Sequence, residues 1–114
     1  MNPRPNFVGG RPVAGTGPLF ASIDPATGRR NGEFTSANAA DVDAAVRIAA
    51  EAAGQTAWRT MRPHERARIL SRIADGMAAC AEDLAAIQMQ ENGKVIAECR
   101  AQVASAIATY RYYA

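Results

Sequence analysis

Residues 19–46 read LFASIDPATGRRNGEFTSANAADVDAAV, and the punctuation of this run decides the fold. Two short stretches, LFASID and RNGEFTS, suit strands. Between them DPATG carries turn chemistry: Pro25 presets φ, the Asp24 carboxylate accepts from backbone amides ahead of it, and Gly28 tolerates φ > 0. The pair predicts a hairpin. An isolated two-stranded hairpin is marginally stable at best in water, so this one requires a sheet or helix beneath it. Beyond the second strand, Asn38 suits a helix N-cap and Asp41, three residues on, stands where a capping box places its acidic partner. The helix it opens carries Val42, Ala45, Val46 and Ala49 on one stripe and ends near Gly54.

Towards the N-terminus, residues 1–36 read as loops and short strands punctuated by Gly and Pro. Towards the C-terminus the pattern is helical throughout. In AWRTMRPHERARIL, Pro63 suits the first turn of a second helix, Glu65 complements its positive end, and Leu70, Ile73 and Met77 mark its buried face. A third helix begins near Glu82, turns Leu84 and Ile87 inward and stops at Gly93, a C′ glycine. A fourth runs from about Val95 with Ile96, Cys99, Val103, Ile107 and Tyr110 at intervals of three and four. The expected fold is mostly α with an N-terminal β-hairpin, in one segment: residues 1–36 loop and hairpin, residues 37–114 amphipathic helices. No repeat and no abrupt change of composition divides it.

A chain of 114 residues makes one small domain or part of a larger one. Its 48% hydrophobic content argues against wholesale disorder, yet 26 residues are Ala, which bury little area each. Lys94 is the only lysine among 13 basic residues, and a net charge of +2 spread along the chain forms no basic stripe, so no nucleic-acid partner is expected. The opening MNPRPNFVGGRPVAGTGPLF is broken by Pro and Gly and holds no signal or membrane helix. No membrane partner is expected, and the default is a soluble, cytoplasmic protein with reduced thiols.

Candidates for chemistry are sparse. His64 is the only histidine, which excludes multi-histidine metal sites, and it reads as a surface residue on a helix first turn. Cys80 and Cys99 lack metal or redox spacing; Cys99 lies on an apolar stripe and reads, like Cys80, as inert. Gly15-Thr16-Gly17 has no preceding apolar strand and no third glycine, so it reads as loop punctuation rather than a phosphate loop. Arg62, Arg66, Arg68 and Arg72 make the second helix basic, but Glu65 and Asp75 dilute the patch into a solvated face. Composition and spacing show no catalytic centre.

Several segments are nevertheless specific in combination. SIDPATGRRNGEF resembles the opening hairpin of the aldehyde dehydrogenase superfamily, with its Asn-or-Asp-Pro-x-Thr-Gly turn. NAADVDAAVRIAAEA is similar to the helix that follows, AWRTMRPHERARILSRIADGM to the Trp-containing entry to the next, and ENGKVIAECR to the Glu/Asp-x-Gly-Lys turn. NFVGGRPV and YRYYA also resemble segments near the start of such enzymes, so the resemblance runs in order from Asn6 to Ala114. Val95 departs from the family, where Pro commonly follows the Lys, and Arg62 stands where a capping Ser or Thr is usual.

The resemblance implies an N-terminal piece of the α/β aldehyde dehydrogenase fold that lacks the parallel sheet, with residues 37–114 as helices of the cofactor-binding domain. Members are NAD(P)-dependent oxidoreductases that convert aldehydes to acids as dimers or tetramers. A cysteine thiolate attacks the aldehyde, hydride passes to the nicotinamide, and a glutamate-activated water hydrolyses the thioester. Cys80 and Cys99 match no catalytic position, and the catalytic Glu and the cofactor-contacting strand ends lie outside the matched segment. The chain alone is therefore expected to be inactive and to bind no cofactor; NAD or NADP, an aldehyde substrate and the remainder of the enzyme chain belong to the complete enzyme, with homo-oligomers expected of full-length relatives. Some members hold a structural monovalent cation, and the matching positions are the backbone oxygens of Ser22 and Ile23 and the carboxylate of Glu91. On this reading the fourth helix lays its stripe on a sheet that the chain does not encode. The alternative reading is a stand-alone helical protein-interaction module.

Overall fold

The computed structural model describes residues 3–114. The first strands, β1 (Asn6–Val8) and β2 (Arg11–Val13), form an antiparallel hairpin that pairs Val8 with Arg11. Its two-residue turn is Gly9-Gly10, with φ of 60° and 80°. Both central residues sit at positive φ, the requirement of the turn whose twist matches paired strands, and glycine meets it without strain.

The second hairpin pairs β3 (Leu19–Ile23) with β4 (Arg30–Thr35) in a separate antiparallel sheet. Its turn is the one expected from the sequence: Asp24 Oδ1 accepts from the Ala26 amide at 2.8 Å, Oδ2 accepts from the Thr27 hydroxyl at 2.8 Å, and Gly28 has φ 70°. Phe20 and Phe34 face each other across the ladder with ring centroids 5.5 Å apart. Arg4 adds a single parallel bridge to Phe34, its amide donating to the Glu33 carbonyl at 2.8 Å.

Helices follow: α1 (Ala39–Gly54), the single turn α2 (Thr56–Arg59), α3 (Pro63–Ala79), α4 (Ala81–Asn92) and α5 (Ile96–Tyr113). The turn α2 escaped the sequence reading, which took Trp58 as part of the approach to α3; four residues are too few for a periodic signal. At the start of α3, Pro63 occupies the first turn and the Glu65 carboxylate accepts from the Arg62 amide at 2.9 Å. This is half of a capping box. The reciprocal bond is missing because an arginine side chain has no acceptor. Helix α4 ends on Gly93 at φ 72°, whose amide returns to the Met89 carbonyl at 2.9 Å.

The chain forms two compact units. One comprises the chain through Ile23 together with Gly28–Thr60, hence both hairpins, α1 and α2. The other comprises Asp24–Thr27 with Met61–Ala114, hence the tip of the second hairpin and α3 to α5. The buried core lies in the second: Ala74 of α3, Ala85 of α4, and Cys99, Val103 and Ile107 of α5, with Met77, Leu84, Met89 and Ile96 packed around them.

Two sequence expectations change here. Most of the α5 stripe does not wait for a missing sheet; Cys99, Val103 and Ile107 are buried in the cluster that α3 and α4 complete, while Tyr110 and Tyr113, at its end, stay more than a third exposed. Ile73 and Ile87 are 39% and 45% exposed, Met77 and Leu84 pack on the core as expected, and the fully buried positions beside the isoleucines are Ala74 and Ala85. Alanine at those positions lets the helix axes approach, and Met77, Leu84 and Met89 pack around the contact. In the first unit, α1 buries none of its residues, and Val42 and Val46 remain at least half exposed.

Candidate functional site

The most connected polar constellation begins at the N-terminus of α1. Asn38 is the N-cap: its Oδ1 accepts from the Asp41 amide at 2.9 Å, while Asp41 Oδ2 accepts from the Asn38 amide at 3.0 Å. The capping box read from the sequence is thus complete. The same Asp41 oxygen also accepts from the amide and the hydroxyl of Thr16, each at 2.8 Å, and Asn38 Nδ2 donates to the Thr16 hydroxyl oxygen at 2.6 Å. Bonds from the Thr16 amide, the Asn38 amide and the Thr16 hydroxyl hold the Asp41 carboxyl below the usual carboxylate range.

This knot explains Gly15-Thr16-Gly17. The Gly17 amide donates to the Ser36 carbonyl at 2.9 Å, and a Cβ on Gly17 would lie 2.9 Å from that same oxygen; on Gly15 it would collide with Ser36 as well. The glycines serve close backbone approach, and the amides of Thr16 and Gly17 are spent on the protein's own acceptors. A phosphate cradle needs amides turned free towards a ligand. Those of Thr16 and Gly17 are not so turned, and the two described sheets are two-stranded and antiparallel, without the parallel strand ends at which dinucleotides bind. Nothing in the sequence signalled the bond from Thr16 to Asp41, because the two residues stand 25 positions apart with the whole second hairpin between them.

Between the first hairpin and α1 lies an apolar groove of about 450 Å³, whose lining includes Val8, Val13, Val42, Val46 and Ile48, with Arg11 and Asp41 among its polar members.

In the second unit, the turn Glu91-Asn92-Gly93-Lys94 is locked from within. Asn92 Oδ1 accepts from the Lys94 amide at 3.2 Å, and Lys94 Nζ reaches Gln102 Oε1 at 3.1 Å and Glu98 at 3.6 Å. Gln88 of α4 donates to the same Gln102 oxygen, and Gln102 donates to Glu98 at 3.1 Å, so one half-buried amide joins both helices to the turn. Pro25 packs on this turn so closely that a Cβ at Gly93 would lie 2.8 Å from its Cγ. Arg100 grips Glu82 with bonds of 2.9 to 3.1 Å from Nη2 and Nε, which raises the guanidinium pKa, and Arg111 meets Asp75 at 3.3 Å.

These are structural roles, and the reactive side chains do not converge. Cys99 is buried in the core and Cys80 is exposed between α3 and α4, its thiol donating to the Gly76 carbonyl at 3.3 Å. His64 is exposed on the first turn of α3. Among the described residues no three His, Cys, Asp or Glu side chains group as metal ligands, and no helix is long and apolar enough to cross a membrane. Of the expected cation ligands, Ser22 and Ile23 are neighbours at the end of β3, where the ladder shifts register between them. Glu91 is exposed in the last turn of α4, in the second unit.

Comparison with known proteins gives one answer. The profile of the aldehyde dehydrogenase family matches residues 13–114. The chain is 42% identical over 99 residues to the N-succinylglutamate 5-semialdehyde dehydrogenase of Paraburkholderia xenovorans (strain LB400), covering 87% of this chain and 20% of that protein. Its fold superposes on the NAD+ complex of an aldehyde dehydrogenase from Bacillus cereus with a TM-score of 0.92 and 29% identity, over 98% of this chain and 23% of that one. The NAD-dependent aldehyde dehydrogenase of Sinorhizobium meliloti gives 0.91 and 30%, over 97% and 22%. The chain spans about a fifth of the length of the curated relatives it matches.

Proposed function

The chain belongs to the aldehyde dehydrogenase family, and on that premise we propose that it is the N-terminal portion of an NAD(P)-dependent enzyme that oxidises an aldehyde to a carboxylic acid. The carrying observation is the superposition of 98% of the chain on 23% of an aldehyde dehydrogenase at a TM-score of 0.92. The partners of this reading are the remainder of the enzyme chain and an aldehyde, with NAD or NADP as hydride acceptor of the whole enzyme. NAD-dependence of the relative from Sinorhizobium meliloti supports NAD.

Taken alone, these residues perform no turnover. Aldehyde oxidation requires an activated thiolate, an oxyanion hole and a base within reach of one another. Here Cys99 is sealed in the core and the Cys80 thiol donates to a backbone carbonyl. The contribution of the segment is architectural: a three-helix unit with its own buried core, and two hairpins.

A chimera tests this. Residues 13–114 replace the matching segment of the Paraburkholderia xenovorans enzyme, and NAD-dependent oxidation is followed by nicotinamide absorbance. The proposal expects turnover from the chimera and none from the 114-residue chain. A folded chimera without activity, or aldehyde-dependent reduction by the short chain, overturns it.

A further inference from the structure

We draw no further inference here: the strongest candidate, the apolar groove between the first hairpin and α1 lined by Val8, Val13, Val42 and Val46, carries none because nothing in the structure shows what covers it.

Discussion

Two isoleucines in the helical unit should respond very differently to the same truncation. Both sit at helical spacing on a predicted inward face, yet Ile107 is 9% exposed and Ile87 is 45% exposed. Replacing Ile107 by Ala removes three buried carbons, about 2 kcal/mol of transfer energy at about 0.8 kcal/mol per methylene. The hole left beside Cys99 and Val103 adds a cavity term, so the total loss falls at about 2 to 4 kcal/mol. At Ile87 roughly half of the side chain is already in water, which leaves about 1 kcal/mol of transfer energy, and the better helix propensity of Ala offsets part of it. The measurement is urea unfolding of the wild-type chain, I107A and I87A, followed by circular dichroism and analysed by linear extrapolation. I107A should lower the midpoint well beyond I87A at an unchanged slope. Equal losses would place Ile87 in a buried face and refute the assignment of Ala74 and Ala85 as the contact surface. Absence of any cooperative transition would refute the shared core itself, since three helices without one have no common midpoint.

Other consequences are as direct. The Asp41 carboxyl is held low in the folded state, so its contribution to stability is fully present above the unfolded carboxylate value, about pH 4. It is lost as pH falls through the lower folded value; urea midpoints across that range should show this slope in the wild type and a flatter one in D41N. N38A, which removes the cap while leaving the carboxylate, should cost about 1 kcal/mol in the same assay. G93A and G28A both force a Cβ onto a residue at φ near +70°, but only at Gly93 does that atom meet Pro25. G93A should therefore be the more destabilising of the two, and adding P25A should recover the difference in thermal midpoint. A thiol reagent in native buffer should label Cys80 and spare Cys99 until denaturant is added, with mass spectrometry of the peptides as the readout; early labelling of Cys99 would mean that the core of α5 opens.

Local chemistry was the legible part of this sequence. The DPATG turn and the Asn38–Asp41 box rest on side chains that bond the backbone nearby, the Pro63 start and the Gly93 stop on the backbone angles those residues favour, and each is found where the sequence puts it. The first hairpin carried its own signal, Gly9-Gly10 between two short runs, but three-residue strands with Pro12 inside one of them gave no alternation to accompany it. Thr16 with Asp41, and Gln102 with Gln88, are assembled by tertiary approach and leave no trace in spacing.

The fourth helix of the sequence reading shows where periodicity stops informing. A stripe at intervals of three and four states which face of α5 is dry, and that face was read correctly at Cys99, Val103 and Ile107. It does not state the partner. The sheet expected as that partner comes from the family resemblance, not from the stripe. With 26 alanines in the chain, the helices instead meet through Ala74 and Ala85, which periodicity ranks below isoleucine although they are the residues with no exposed surface. Small residues at those positions permit close helix–helix approach, with Met77, Leu84 and Met89 packed around it and Ile73 and Ile87 left 39% and 45% exposed beside it.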